Sequence, residues 1–212
     1  MVHVVKNKLF PSNTYIVSAE GSECILVDPG LDHEAIDHKL TELQLKPAYI
    51  LATHGHFDHV GSVSFFQRKY NASFYIHEKD EKILRSVNFF IKMMKIDKRV
   101  DVPVPDATFT KQRESVQLGG LTFDICNFPG HTVGSCLFLL NDCLFSGDML
   151  YSKGIGVNPF PGQDKVKLKA SLLEILELYK GEVMVYPGHG SAEKLDRIKL
   201  ENKELTLFLE PS

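Results

Sequence analysis

One short segment of this sequence carries many of its metal-binding side chains: Thr53-His54-Gly55-His56-Phe57-Asp58-His59. Imidazole nitrogens and carboxylate oxygens are ligands that suit zinc, iron and manganese. His54 and His56 are two positions apart, so in an extended or tightly turned backbone they project to the same side. Asp58 and His59 then face a second point nearby. The spacing therefore predicts metal binding in this segment.

Three other motifs place a histidine or an aspartate in a turn that follows a predicted strand. They are Pro129-Gly130-His131-Thr132, Gly147-Asp148 and Pro187-Gly188-His189-Gly190. Loops that follow strands commonly gather at one sheet edge to form a site. The combined nitrogen and oxygen ligands, with no thiolate, exceed one tetrahedral site and suit two adjacent ions. The predicted ligands are His54, His56, Asp58, His59, His131, Asp148 and His189.

The remaining histidines and the cysteines lie outside these motifs. Isolated histidines are usually solvated or satisfied by neighbouring groups, so these four are predicted not to bind metal: His3, His33, His38 and His77. The cysteines form no Cys-x-x-Cys pair and are predicted to be buried small side chains, not a disulfide or a zinc–thiolate site. They are Cys24, Cys126, Cys136 and Cys143.

Composition and charge argue against several classes of protein. The chain has 212 residues, of which 43% are hydrophobic and 24% charged, as is ordinary for a globular protein. Its formal net charge of −3 gives no support for a nucleic-acid or membrane partner. The N-terminus lacks the apolar stretch of a secretory signal, and no apolar run approaches the ~18 residues that span a bilayer. We therefore expect a cytoplasmic protein with neither nucleic acid nor membrane as a partner.

The elements that must position the motifs are short strands with helices between them. Strands are predicted at residues 2–5, 13–17, 24–27, 48–52, 73–76, 115–118, 121–128, 136–140, 143–146 and 183–186. Helices are predicted near 36–45, 60–70, 165–179 and 191–208. Hairpin turns are expected at Gly119-Gly120 and Asn141-Asp142. This order predicts one α/β (α+β) domain over residues 1–212, a sandwich of two mixed sheets with helices outside.

Residues 78–108 differ in character from the rest, because apolar residues there alternate with lysine and arginine. One interpretation is a helical cap over the active site, with Phe89, Phe90, Met93 and Met94 lining a substrate wall. Lys92, Lys95 and Arg99 would then attract an anionic thioester. The alternative is a packed helix with a solvated basic face.

The motifs resemble those of the metallo-β-lactamase-fold hydrolases, and among these the glyoxalase II-like (hydroxyacylglutathione hydrolase-like) branch. The similarity includes the four motifs above, extends to Val27-Asp28-Pro29-Gly30 and Leu118-Gly119-Gly120-Leu121-Thr122, and covers nearly the whole chain. It implies a four-layer αββα sandwich with a dinuclear metal site between the sheet edges. Glyoxalase II itself continues into a helical domain that holds glutathione, whereas here the sequence after His189 has room for one helix only.

The resemblance also implies how the ligands divide between the ions. His54, His56 and His131 would hold the first metal, and Asp58, His59 and His189 the second. Asp148 would bridge both ions. Asp28 resembles a buried acidic residue behind the metal loop, and we expect it to orient a ligand.

Two adjacent cations predict hydrolysis of a small thioester or ester. A shared water would lose its proton to give a metal-bound hydroxide, which attacks a carbonyl that a metal polarises. Asp58 is expected to orient the nucleophile or take up its proton. Tyr151 is expected to reach the oxyanion or the leaving group. The predicted cofactors are two divalent ions, zinc first, with iron or manganese as alternatives.

Two other activities share these residues. A persulfide dioxygenase similar to glyoxalase II would use one iron ion held by His54, His131 and Asp148, an open two-histidine, one-carboxylate site. An acyl-homoserine lactonase of the same fold places a tyrosine near the bridging aspartate, and Tyr151 is in keeping with that alternative. A binding protein without activity would ordinarily lack one or more of the ligands, and all are present in this sequence.

Overall fold

Two six-stranded mixed sheets form the centre of the molecule in a computed structural model that describes residues 1–18, 21–158, 160 and 162–210. The first sheet holds six strands in chain order. They are β1 (Val2–Lys6), β2 (Asn13–Ser18), β3 (Glu23–Val27), β4 (Lys46–Leu51), β5 (Ser73–His77) and β6 (Ala107–Phe109). The first three pair antiparallel, and β4, β5 and β6 each add in parallel to the preceding strand.

The second sheet has the strand order β12-β11-β10-β9-β8-β7. Its strands are β7 (Arg113–Leu118), β8 (Leu121–Asn127), β9 (Cys136–Leu140), β10 (Cys143–Gly147), β11 (Met184–Pro187) and β12 (Glu193–Lys194). Strands β7 to β10 form an antiparallel meander with both predicted hairpin turns. Strand β11 then runs parallel to β10, and β12 pairs antiparallel with β11. Both sheets are therefore mixed, as predicted.

The helices cover the outer faces of the sheets. They are α1 (His33–Glu42), α2 (Phe57–Val60), α3 (Val63–Tyr70), α4 (Glu81–Arg85), α5 (Val87–Met93), α6 (Lys165–Leu178), α7 (Leu195–Glu201) and α8 (Lys203–Leu209). A 3₁₀ turn at Glu78–Asp80 precedes α4. Within the described residues, no helix is both long and apolar enough to cross a membrane.

Alternation along the strands creates three apolar layers. In β2, Val17 faces the space between the sheets, where it joins a buried cluster with Phe138 of β9. The neighbouring Ile16 belongs instead to the cluster beneath α1 and α3. In β9, Leu137 packs with Leu172 of α6 on the other outer face. Because side chains in a strand point alternately to opposite faces, both sheets are buried on two sides, and the αββα sandwich is confirmed.

The strand directions bring the predicted site loops to one edge of the sandwich. Strands β3 and β4 are parallel, so the turns after Val27 and Leu51 leave the first sheet together. In the second sheet β10 and β11 are parallel, and Gly147 is paired with Pro187 at their carboxyl ends. Strand β8 runs in the same direction as β10, because both are antiparallel to β9. The loops after β4, β8, β10 and β11 therefore emerge at the same edge.

Several element predictions need correction. The helix predicted at 60–70 begins three residues later, as α3 at Val63, and a separate short helix, α2, ends at Val60; the one at 191–208 is two short helices separated at Asn202. Asn202 ends one helix and caps the next, a local choice that apolar spacing does not reveal. Strands β6 and β12 were not predicted, since three and two residues are too short for an alternation pattern.

The predicted burial of the cysteines is confirmed for three of the four. All four are free thiols; Cys24, Cys126 and Cys136 are buried, and Cys143 is half-buried.

Candidate metal centre

Three histidines form the first group of the centre. Nδ1 of His56 lies 3.1 Å from Nε2 of His54 and 3.0 Å from Nε2 of His131. All three side chains are buried. Nitrogens bound to one tetrahedral zinc ion at about 2.0–2.1 Å lie about 3.3 Å apart, so this spacing fits one shared cation. The group joins two sheets, because His54 and His56 follow β4 and His131 follows β8.

A second group lies beside the first and contains Asp58, His59 and His189. Oδ2 of Asp58 is 3.4 Å from Nε2 of His59 and 3.2 Å from Nε2 of His189. These ligand atoms all lie within 4.8 Å of one another. Aspartate oxygen and two imidazole nitrogens are a suitable ligand set for a second divalent ion.

Asp148 lies between the two groups. Its Oδ1 is 3.3 Å from Nε2 of His59, and its Oδ2 is 3.3 Å from Nε2 of His189. Oδ2 is also 3.6 Å from Nε2 of His131 in the first group. The structure thus brings all seven predicted ligands together, with one carboxylate shared between the two groups.

The outer ring nitrogens of four histidines have partners that fix the tautomer. Nδ1 of His54 lies 3.1 Å from Thr53 Oγ1, and Nδ1 of His59 lies 3.0 Å from Asp28 Oδ2. Nδ1 of His131 lies 2.8 Å from the Gly156 carbonyl oxygen. Nδ1 of His189 donates to the carbonyl of Pro11. Each bond assigns the proton to Nδ1 and leaves the lone pair of Nε2 directed into the centre, which is the arrangement that a metal ligand requires.

Asp28 orders two parts of the centre with one carboxylate. Its Oδ1 accepts from the backbone N–H of Thr53 at 2.7 Å, and its Oδ2 accepts from Thr53 Oγ1 at 2.7 Å as well as from His59. The residue is 1% exposed and has a φ of 53°, a left-handed conformation that aspartate tolerates better than most residues. The structure therefore places Asp28 behind the metal loop, as the resemblance implied.

The charges of the ligands point to cations in the centre. Burial, reinforced by neighbouring imidazoles, lowers the pKa of His54 well below its usual range and that of His56 to about 3. Burial acts in the same direction on His59 and His189, but the carboxylates of Asp148 and Asp58 outweigh it. They raise the pKa of His59 well above its usual range and that of His189 to about 10. In the absence of a cation, protons on these two histidines compensate the buried carboxylates.

Two buried atoms that face the centre have no hydrogen-bond partner among the described residues: Nε2 of His59 and Oδ1 of Asp148. Leaving such atoms unsatisfied costs free energy, and a divalent cation between them would bind both. The ligand types, the spacing of the nitrogens and these two atoms all fit divalent metal ions.

Close packing of the loops restricts the residues beside the ligands. A Cβ on Gly188 would lie 2.1 Å from Oδ1 of Asp148 and 2.7 Å from Cε1 of His59. Only glycine fits there, because neither of these ligand groups can move aside without changing the centre. This requirement explains the glycine before His189 in the last motif.

A cavity of about 390 Å³ opens onto the ligands. The ring of Phe160 lies edge-on to His56 at 5.4 Å, and that of Phe10 lies edge-on to His189 at 6.2 Å. The other lining residues outside the ligand set are Pro11, Tyr151, Ile155, Gly156, Val157 and Asn158. The wall is mainly apolar and carries no lysine or arginine among these residues, so it suits an uncharged group of modest size.

Tyr151 is part of this wall. Its ring is 5.8 Å from that of His189 and nearly perpendicular to it. Burial, together with the carboxylate of Asp148, raises the pKa of Tyr151 well above its usual range. The phenol therefore keeps its proton at neutral pH and can act as a hydrogen-bond donor. Its predicted part in catalysis stays a prediction.

The segment at 78–108 contacts the centre through Phe90. This ring lies 6.2 Å from His56 and 5.4 Å from Phe160, and it is 4% exposed. The other apolar residues that were expected in the substrate wall, Phe89, Met93 and Met94, are exposed. Lys92, Lys95 and Arg99 line a different cavity, of about 700 Å³. On a helix Lys92 projects about 200° away from Phe90, and Lys95 and Arg99 follow the end of α5, so the basic groups line a cavity separate from the site.

The histidines that were predicted not to bind metal lie outside the ligand groups found among the described residues. His3 is in β1, and His33 and His38 are in α1. His77 ends β5, where its Nδ1 accepts from the N–H of Lys79.

Two buried polar residues that position the loops were missed by sequence reasoning. Asp80 accepts hydrogen bonds from the loops of both His54 and His131. Asn202 donates to the carbonyls of Tyr151 at 3.1 Å and Gly154 at 3.0 Å. The only local indication was that each is a good helix N-cap residue. Asp80 bonds Gly134, and Asn202 bonds Tyr151, in each case more than about 50 positions away. No sequence pattern indicates contacts at that separation.

Comparisons with known proteins agree with this geometry. A family model described as Metallo-beta-lactamase superfamily matches residues 7–189. The hydroxyacylglutathione hydrolase GloC of Haemophilus influenzae is 28% identical over 204 residues, which cover 95% of this chain and 96% of that protein.

Two solved structures are similar over nearly their full length. One is the protein TTHA1623 in a di-iron-bound form, with a TM-score of 0.85 and 30% identity over 95% of this chain and 99% of that one. The other is the B3 metallo-beta-lactamase BLEG-1, with a TM-score of 0.88 and 29% identity over 97% of this chain and 100% of that one.

Proposed function

The chain belongs to the metallo-beta-lactamase superfamily, whose members are mostly hydrolytic metalloenzymes, and we propose that it is a dinuclear zinc hydrolase of small thioesters. The position of Asp148 carries this proposal. Its two carboxylate oxygens lie within 3.6 Å of ligand atoms from both groups, as expected of a residue that bridges two ions. The second group, Asp58, His59 and His189, would supply the ligands for the second ion.

Zinc is the ion that we propose for both positions. Imidazole nitrogen and carboxylate oxygen suit zinc, and the nitrogen spacing in the first group fits a tetrahedral ion. Iron and manganese accept the same ligands, and the similar protein TTHA1623 was solved in a di-iron-bound form. Metal analysis is therefore part of the test.

Two divalent ions at this site would supply an acidified water and a Lewis acid for the substrate carbonyl. The protein's own groups complete the reaction. Asp58 holds a carboxylate oxygen 3.2 Å from Nε2 of His189 and is positioned to orient a water or accept its proton. Tyr151, which keeps its phenolic proton, would donate to the oxygen that gains charge or to the departing sulfur.

The cavity supports a short acyl group as the part of the substrate beside the ligands. Phe10 packs against His189 and Phe160 against His56, and the volume of about 390 Å³ is at the small end for a ligand pocket. The Haemophilus relative is named a hydroxyacylglutathione hydrolase, and this chain spans 96% of it. We therefore propose a 2-hydroxyacyl thioester of glutathione as the first substrate to test.

The test combines metal content with a panel of substrates. We expect two zinc ions per chain after purification without added metal, and thiol release from the glutathione thioester. His54→Ala should abolish hydrolysis, because it removes a ligand of the first ion. His38→Ala, an exposed histidine of α1, is the matched control and should retain full activity. Unchanged hydrolysis in His54→Ala would refute the site.

The same panel separates the alternatives. Lactones, persulfides and a β-lactam are assayed under the same conditions as the thioester. One iron ion per chain with oxygen uptake on a persulfide would replace the hydrolase by a dioxygenase. If a lactone is hydrolysed faster than any thioester, the proposed substrate class is wrong, but the reaction is still hydrolysis.

A further inference from the structure

Asp80 is a buried carboxylate that the proposed chemistry does not use. It lies at the end of the 3₁₀ turn Glu78–Asp80, directly before α4, and is fully buried. Aspartate at this position normally caps its own helix by accepting a backbone N–H of the first turn. Here the side chain makes no such bond. Its hydrogen-bonding capacity is directed elsewhere.

The acceptor atoms of Asp80 bind the two loops that carry the first group of ligands. Its Oδ2 accepts from the N–H of Gly55 at 2.9 Å, and Gly55 lies between His54 and His56. The same oxygen accepts from the hydroxyl of Thr132 at 2.8 Å, and Oδ1 accepts from the N–H of Gly134 at 2.6 Å. Thr132 and Gly134 belong to the loop of His131.

The two loops come from different sheets, so their separation is not set by strand pairing. One follows β4 of the first sheet, and the other follows β8 of the second sheet. A backbone bond from Cys136 N–H to the Thr53 carbonyl at 2.8 Å also joins them, next to His54 but five residues after His131. Asp80 joins them beside the ligands themselves.

The contact with the second loop is tight. A Cβ on Gly134 would lie 2.6 Å from Oδ1 and 2.7 Å from Cγ of Asp80. A buried carboxylate is costly unless several donors compensate it, and here two backbone N–H groups and a hydroxyl do so. Such a carboxylate holds its donors in one arrangement, because displacing either loop leaves charge without a partner.

We propose that Asp80 is a positioning residue for the first metal ion, one that fixes the His54 and His56 loop against the His131 loop. It sets the distance between ligands from the two sheets before the ion binds. This inference rests on the metal centre of the proposed function. Outer groups that orient metal ligands typically change metal affinity by about 10- to 100-fold when they are removed.

The test is Asp80→Asn, measured as the zinc affinity of each position by titration against a chromophoric chelator. Asparagine keeps the shape but has only one oxygen, so its amide N–H₂ must face the donor on one side. The titration is performed in two backgrounds. His189→Ala disables the second position and reports the first, and His56→Ala disables the first position and reports the second.

We expect Asp80→Asn to lower zinc affinity by about 10- to 100-fold in the His189→Ala background and to leave it unchanged in the His56→Ala background. Thr132→Val, which removes one of the three donors, should act in the same direction with a smaller factor. Asp106→Asn is the control for structure alone. Asp106 accepts the N–H of Phe74 at the start of β5 and touches neither loop.

The outcomes separate positioning from folding. If Asp80 has only a structural role, Asp80→Asn will lower the thermal stability of the metal-free protein and leave the zinc affinity of both positions unchanged. The control Asp106→Asn can show the same pattern. Such a result for Asp80→Asn would overturn the inference while the proposed function stands. An equal loss at both positions would also overturn it, since only the first position joins loops that Asp80 holds. Absence of zinc binding in the unaltered protein would overturn both proposals.

Discussion

Asn202 connects the C-terminal helices to the loop that carries Asp148 and Tyr151, and its removal gives a quantitative prediction. The side chain is fully buried. Its Nδ2 donates to the carbonyls of Tyr151 and Gly154, and its Oδ1 accepts from the N–H of Leu205 at the start of α8. Asn202→Ala removes all three bonds.

The expected loss of unfolding free energy depends on which groups are left without a hydrogen-bond partner. Loss of an N-cap costs about 1 kcal/mol. The Gly154 carbonyl keeps a second donor, the N–H of Tyr151 at 3.0 Å, whereas the Tyr151 carbonyl loses the side-chain donor that it has. An unsatisfied, mostly buried carbonyl costs about 1–3 kcal/mol, which brings the total to roughly 2–4 kcal/mol. For a chain of this size the melting temperature should fall by roughly 4–16 °C.

The assay is thermal and urea unfolding of the metal-free protein, with Asp164→Ala as the matched control. The Asp164 side chain caps α6 by accepting from Val166 and Lys167, both at 3.0 Å, and makes no bond to a site loop; the backbone bond from Asp164 N–H to the Gly130 carbonyl at 2.8 Å is retained in Asp164→Ala. Asp164→Ala should therefore cost only the capping energy of about 1 kcal/mol. If Asn202→Ala proves no more destabilising than this control, the bonds to the Asp148 and Tyr151 loop contribute nothing and the reasoning is wrong.

Three further predictions test the centre. Asp28→Asn should lower zinc affinity at the second position by about 10- to 100-fold, because an amide cannot accept from His59 while it also faces the Thr53 donors; an unchanged zinc titration would contradict this. Tyr151→Phe should reduce kcat on the thioester by roughly 10²- to 10³-fold with metal content unchanged, if the phenol donates to developing charge; retention of kcat would remove Tyr151 from the reaction. The metal-free protein should be most stable near pH 6.5, measured by unfolding across pH. Below that pH, stability falls toward pH 3 because His56, with a pKa of about 3, stays neutral while the unfolded chain takes up a proton. Above it, stability falls toward pH 10 because His189, with a pKa of about 10, holds a proton that the unfolded chain has lost; a curve without this alkaline loss would refute the carboxylate effect.

The division of the C-terminal part illustrates where pattern reasoning fails. Apolar spacing predicted one helix over 191–208, and the structure has α7 and α8 with Asn202 between them. Both short helices keep the apolar spacing, so periodicity alone cannot reveal the break. The reason for the break is the long-range bond of Asn202 to the Tyr151 loop, and nothing adjacent in sequence indicates it.

The basic residues of 92–99 show a second limit. The sequence left open whether Lys92 and Lys95 face a substrate or solvent. Which face of α5 meets the core depends on packing of Val87, Phe90 and Ile91 against residues of the first sheet and its helices. That packing turns Phe90 toward His56 and Lys92 to another face, and Lys95 follows the end of the helix in the lining of the other cavity.

The predicted ligand set and the fold class both follow from local features of the sequence. His54, His56, Asp58 and His59 are neighbours in one turn, so their types and spacing are a local property. Strand alternation and hairpin turns are local as well, and they were sufficient to predict a sandwich of two mixed sheets.

How the two halves of the centre meet is visible only in the folded chain. The predicted ligands lie in loops from both sheets, and Asp28, Asp80 and Asn202 bond these loops to partners at distant positions in the chain. The cavity wall likewise combines Phe10 with Phe160 across the whole domain. A carboxylate or an amide can reach any donor that folding brings within about 3 Å, and sequence spacing contains no record of such contacts.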